Sequence, residues 1–136
     1  VLFRSNLAPE GWHVPTDDEI KELEMYLGMS QEEADNEGYR GTNEGSKLAG
    51  RADLWNDGDL ENNPEFGTSG FNLLPGGYRN YYDGYYYYMG LGGYFWSSTE
   101  SSSSNAWSRL LHFNYSGILR YVYNKKSGFS VRCVRD

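Results

Sequence analysis

AWSRLLHFNYSGILRYVYNKKSGFSVRCVR, residues 106–135, decides the fold. Read in steps of two, its first part alternates: Trp107, Arg109, Leu111 and Phe113 fall on one side, and Ser108, Leu110, His112 and Asn114 on the other. Tyr115-Ser116-Gly117 turns the chain. Residues 118–123 then alternate again, with Leu119, Tyr121 and Tyr123 opposed to Ile118, Arg120 and Val122. A second turn, residues 124–128, leads into residues 129–135, where Phe129, Val131 and Cys133 share a face. Strands joined by such short turns form an antiparallel meander.

Upstream of the meander the signals change. Short strands are expected at residues 71–74, ahead of the Pro75-Gly76-Gly77 turn, and at residues 94–98. Thr16-Asp17-Asp18-Glu19 spells a capping box, its acidic first turn suits the helix dipole, and Ile20, Leu23 and Leu27 come next at helical spacing. Gly28 supplies the stop, so a helix is predicted over residues 17–27. Ser30-Gln31-Glu32-Glu33 starts a second, shorter helix ending near Gly38. Periodicity is lost over residues 39–71, apart from a helical turn expected at 45–49. The expected fold class is α+β: two N-terminal helices, long irregular loops, and a twisted antiparallel sheet from the C-terminal half.

Bulk properties bound the function. At 136 residues the chain has the length of one domain. Residues 1–5, VLFRS, do not join naturally to the rest of the chain and read as an adapter-like, non-native leader, which leaves residues 6–136 as a single domain. The net charge of −7 argues against a nucleic-acid phosphate backbone as partner. No apolar run reaches the roughly 20 residues of a membrane span, so no membrane insertion by this domain is expected. One cysteine, Cys133, excludes an intrachain disulfide and is expected to act as a small buried hydrophobe. There is no HExxH, no GxSxG and no phosphate-binding loop, and only two histidines, His13 and His112. No catalytic residues and no cofactor are expected; the domain reads as a non-enzyme.

The binding signal is composition. Residues 78–123 are crowded with Tyr, Ser, Gly and Asn, the mixture that recognition surfaces use: rigid amphipathic rings beside adaptable hydrogen-bonding groups. Four consecutive tyrosines, Tyr85, Tyr86, Tyr87 and Tyr88, cannot all face inward on a regular element, and Tyr81 and Tyr82 stand just before them. With Trp107, Leu111, Phe113, Ile118 and Val122 on the core, the other face of the hairpin displays Ser108, Leu110, His112, Asn114, Leu119, Tyr121 and Tyr123, with Tyr115 in the turn. These side chains are the candidate ligand-binding set; the alternative is an ordinary solvated sheet face. Arg109 and Arg120 then point inward and need an acid, for which Glu100 is the expected partner in a structural pair. Asp57, Asp59 and Glu61 place hard oxygen ligands in a glycine-containing loop and are the candidate calcium ligands, against the plainer reading of a solvated turn.

PEGWHVPTDDEIKELEMYLGMS, GYRGTNEGSKLAG, FGTSGFNLLPGGYRN, YFWSSTESSSSNAW and KKSGFSVRCVRD together resemble the Fibrobacter succinogenes major paralogous domain. The resemblance runs from Pro9 to Asp136 and implies a C-type lectin-like fold related to formylglycine-generating enzymes. It implies a bacterial surface or secreted protein, extracellular or on the cell surface, with no established enzymatic activity. Relatives often carry Cys-Pro where this chain has Ala8-Pro9, so Cys133 is expected to be unpaired, and a single cysteine does not furnish the paired-thiol copper site of the formylglycine-generating enzymes. The tail from Trp96 is also similar to the variable proteins of diversity-generating retroelements, whose late strands and loops are altered to change ligand. Trp55-Asn56-Asp57 matches a triplet of calcium-dependent lectins but lies upstream of the final strands. The function implied is recognition of a glycan or a cell-surface protein. A structural or adhesive repeat without a discrete ligand, and an inactive relative of the formylglycine-generating enzymes, are the alternatives.

Overall fold

The computed structural model describes residues 7–136; the expected leader at residues 1–5 lies outside the described residues. The elements run β1 (Trp12–His13), α1 (Asp17–Tyr26), α2 (Gln31–Asp35), β2 (Gly38–Arg40), α3 (Glu44–Leu48), a 3-10 turn (Ala52–Leu54), α4 (Asp59–Asn62), β3 (Tyr78–Arg79), β4 (Tyr86–Tyr87), β5 (Gly92–Glu100), β6 (Asn105–His112), β7 (Ile118–Asn124) and β8 (Val134–Arg135). This is the α+β class the sequence predicts. A four-stranded antiparallel sheet in the order β2-β7-β6-β5 forms its centre. β1 pairs with β8, which brings the two ends of the described chain together, and β3 pairs with β4 as a separate hairpin.

α1 begins as its capping box requires. The Glu19 amide donates to Thr16 Oγ1 at 3.1 Å, and the Thr16 amide donates to Glu19 Oε1 at 3.3 Å. The helix buries Ile20 in a core shared with Leu48, Trp55, Leu60, Phe95, Leu111 and Ile118. Trp55 belongs to this core and donates its indole N–H to the Gly50 carbonyl at 3.0 Å. Two expected strands are reduced. Leu73 forms one bridge, with Ala49, and the stretch after Phe129 pairs regularly only at Val134–Arg135, with a single bridge between Ser130 and Phe95. Both segments bond to loops or to an edge, so the sheet ladder the sequence pattern suggested does not propagate through them. Cys133, expected to be buried, is free and only half-buried, because it lies in this irregular stretch at the edge of the molecule.

The partner of the inward arginines is corrected. Arg109 bonds Glu24 from Nε and Nη2, both at 3.0 Å, and Asp17 from Nη1 at 2.7 Å. Arg120 bonds Asp17 from Nη2 at 2.7 Å and places its guanidinium 3.7 Å from the Trp107 ring centre. Arg40 grips Glu24 from Nη1 and Nη2, both at 2.8 Å. Glu100 instead pairs with Lys125 near the surface at 2.8 Å. Asp17 and Glu24 sit two turns apart along one face of α1, and that face packs on the sheet where Arg109 and Arg120 stand opposite one another on neighbouring strands. Burial pushes the Asp17 carboxyl up, but the hydrogen bond from Arg120 and the nearby Arg109 charge outweigh it, so its pKa is lowered.

Candidate functional site

The hairpin β3–β4 builds one wall of an aromatic cleft. Tyr78 stands opposite Tyr87 and Arg79 opposite Tyr86, and the Tyr78 and Tyr87 rings stack at 5.7 Å. The loop between them is held by its own side chains. Asn80 Oδ1 accepts from the Tyr82 amide at 2.7 Å, Asp83 Oδ1 accepts from the Tyr85 amide at 2.9 Å, and Tyr87 donates its hydroxyl to Asp83 Oδ2 at 2.5 Å. The hydrogen bond from Tyr87 holds the Asp83 carboxyl below its ordinary value, and the same contact raises the Tyr87 phenol.

Two close backbone approaches set the hairpin against the sheet. Gly77 has φ of +65°, and a Cβ there would collide with the Tyr87 carbonyl oxygen. Gly128 exchanges both backbone hydrogen bonds with Arg79, at 2.9 Å each, which brings the turn after β7 and the adjoining Phe129 to the hairpin. Tyr88 then takes φ of +66°, left-handed backbone that a tyrosine seldom adopts. Its carbonyl accepts from the Leu91 amide at 2.9 Å and the Gly92 amide at 3.0 Å, which holds that conformation.

The result is a cleft of about 350 Å³ lined by Tyr78, Asn80, Tyr81, Tyr88, Tyr94, Tyr123, Ser127 and Phe129. Its rings turn from wall to wall: Tyr78 and Tyr88 lie at 89°, Tyr94 and Tyr123 at 75°, Tyr123 and Phe129 at 75°. Trp96 stacks beneath Phe129 at 4.4 Å. Burial raises the Tyr94 and Tyr123 phenols above their ordinary value, so both stay neutral across the physiological range. Aromatic walls with a few polar groups at the edge are the usual make-up of a small-ligand pocket.

Of the candidate ligand-binding residues, the structure brings Tyr81, Tyr88 and Tyr123 together in this cleft. Tyr121 is exposed beside it, with its ring 5.5 Å from that of Tyr123. Tyr82 is 89% exposed and packs edge-on to Tyr81, while Tyr85 and Tyr86 project into solvent and Tyr87 backs onto Tyr78.

The hairpin-face assignment is corrected for Ser108 and Leu110. Both are buried, with Arg109 and Leu111 buried between and beyond them, because β6 is covered on both faces. Ser108 lies opposite Trp96 and Leu110 opposite Tyr94, under the aromatic cluster, and Ser108 donates its hydroxyl to the Tyr121 carbonyl at 3.0 Å. Leu119 is half-buried beside Tyr39.

His112, Asn114 and Tyr115 gather at the β6–β7 turn, where Tyr115 packs edge-on to Tyr39 at 4.6 Å and burial lowers the His112 pKa. Tyr123 pairs with Ala106 at the opposite end of that hairpin. The strand from Ala106 to His112 spans roughly 20 Å, so the two groups are not one surface.

The calcium candidates are not gathered. Asp57 Oδ1 accepts from Asn62 Nδ2 at 2.8 Å, Asp59 and Glu61 ride on α4, and among the described residues no three His, Cys, Asp or Glu side chains cluster to hold a metal. A second groove of about 510 Å³ lies between α1 and β8, beside Leu23, Tyr26, Phe71 and Arg132. Two of its polar groups are engaged internally: Arg132 donates to the Phe71 carbonyl at 2.7 Å, and Glu19 is bound to His13.

Sequence reading missed Tyr78, Asn80, Tyr94, Ser127 and Phe129. They come from several segments of the chain, assembled by the backbone bridges Arg79–Gly128, Gly77–Gly93 and Phe95–Ser130. The fold and cleft together define an α+β domain with a neutral aromatic site. The chain belongs to the Fibrobacter succinogenes major domain family, whose model matches residues 2–135. No curated protein and no solved structure matches it.

Proposed function

We propose that this chain is a non-catalytic ligand-binding module of a bacterial surface or secreted protein, C-type lectin-like in fold, which recognises a glycan or a cell-surface protein through the tyrosine cleft and the exposed tyrosines around it. The observation that carries the reading is the convergence of Tyr81, Tyr88 and Tyr123 on one cleft with Tyr78, Tyr94 and Phe129. A cleft of about 350 Å³ is at the small end for ligand sites, so it suits one terminal group of a larger ligand: one sugar, one side chain or one headgroup. The exposed rings nearby offer the remaining contact area, as in other tyrosine-rich recognition surfaces. A purely structural role for the tyrosine run fits less well, since Tyr85 and Tyr86 are 69% and 76% exposed. His13, the one histidine held between carboxylates, is tied to Glu19 and Asp136 rather than to a nucleophile.

The test is binding of the chain to an array of glycans and bacterial surface proteins, in calcium and in chelator. The expected result is a signal that Tyr81→Ala weakens and that chelator leaves in place. A signal that survives substitution of Tyr81 and Tyr88 together removes the cleft from the account.

A further inference from the structure

We propose that the cleft takes a trimethylammonium group, the cationic end of choline-type compounds; this rests on the cleft being the ligand site. Among the described residues, six aromatic rings line it together with Asn80 and Ser127. Neighbouring walls meet at 89° and 75°, the arrangement by which several rings enclose a rounded group. Ring faces carry the negative end of the aromatic quadrupole, and a cation near them is held more strongly when water is excluded. The buried, neutral phenols of Tyr94 and Tyr123 mark that end of the cleft as poorly solvated.

The lining also disfavours a primary ammonium. A primary ammonium keeps a tight hydration shell and calls for a carboxylate when it is desolvated. Among the described residues no carboxylate lines the cleft, and the acid of the hairpin loop, Asp83, is bound to Tyr87. A quaternary ammonium donates no hydrogen bonds, and aromatic rings can hold it without a carboxylate. The net charge of −7 favours the approach of a cation over that of an anion.

The experiment is isothermal titration of the full chain with choline, with its neutral carbon isostere 3,3-dimethylbutan-1-ol, and with ethanolamine. The expected result is that choline binds at least about tenfold more tightly than either. Tyr88→Gly, which removes a wall, abolishes choline binding, whereas Tyr82→Ala, outside the cleft, leaves it unchanged. Phosphatidylcholine vesicles form a further arm: capture assigns the group to a lipid headgroup, and choline binding without capture assigns it to a soluble or polymer-borne ligand. Equal affinity for the isostere, or no choline binding, overturns the proposal. If choline fails while an array ligand still depends on Tyr81 and Tyr88, the cation inference alone falls; if no ligand depends on those residues, the cleft reading falls with it.

Discussion

Glu24 and Arg109, 85 residues apart in the chain and both without solvent exposure, meet fork to fork through two 3.0 Å hydrogen bonds. Glu24 accepts a second fork from Arg40, so both of its oxygens are saturated by two guanidinium groups. Asp17, on the same helix face, completes the network with Arg109 and Arg120. α1 and β2 are thereby tied to the distant β6–β7 pair, and the β7 strand that carries Tyr123 is held with them. Among the described residues no buried side-chain polar atom lacks a partner, which is the condition for such a network to be tolerated inside a protein.

Removing one member leaves charges buried and uncompensated. Glu24→Ala is therefore expected to cost about 3–5 kcal/mol. Glu100→Ala, which breaks the more exposed pair with Lys125, is expected to cost less than about 1 kcal/mol. Urea unfolding of both variants checks the contrast; equal losses would contradict the assignment of Glu24 as the partner.

His13 ties the chain ends to α1. It sits between Glu19 Oε2 at 2.7 Å and Asp136 Oδ1 at 2.6 Å. The hydrogen bonds to Glu19 and then Asp136 raise its pKa above 6.5. A raised folded pKa gives stability that is complete below the unfolded value and is lost as pH rises through the folded one. Glu19 runs the other way. Burial pushes its carboxyl up, but the hydrogen bonds from His13 and Thr16 outweigh this and lower it below 4.5, so its contribution is lost as pH falls. The clasp thus works fully from pH 4.5 up to 6.5. The melting-temperature gap between wild type and His13→Ala should be widest at about pH 5.5 and shrink by about pH 9. A gap independent of pH would show that His13 contributes packing alone.

Gly77 and Tyr88 form a conformational pair at the cleft. Gly77→Ala forces a methyl group onto the Tyr87 carbonyl at a φ of +65°, and is expected to destabilise by about 1–3 kcal/mol. Tyr88→Gly relieves a left-handed tyrosine, worth about 1–2 kcal/mol, against a similar entropic loss, so stability should change by less than about 1 kcal/mol. Thermal melts of the two variants should move in clearly different ways. A large loss in Tyr88→Gly would mean that the ring is structural.

Local signals carried well from sequence to structure. The capping box set the start of α1, Ser30 capped α2, and the alternation of residues 106–123 became β6 and β7. Alternation did not reveal that both faces of β6 are covered, because a strand under an aromatic layer on one side and a buried ion network on the other still alternates large and small groups. Composition flagged Tyr81, Tyr88 and Tyr123, but it flagged His112, Asn114 and Tyr115 equally, and only strand register separates the two ends of the hairpin. Arg109 pointed inward as expected. Its partner lay 85 residues upstream on a helix face whose acids look, in sequence, like ordinary solvated residues.

The central claim is that the tyrosine cleft, and not the β6–β7 turn, holds the ligand. The most direct measurement takes whatever ligand the array identifies and compares its dissociation constant for wild type, for Tyr81→Ala with Tyr88→Gly, and for His112→Ala with Asn114→Ala. The cleft variant is predicted to lose at least about thirtyfold in affinity, the scale of a hot-spot residue, while the turn variant stays within about twofold. Loss in the turn variant with the cleft variant unaffected would contradict the account.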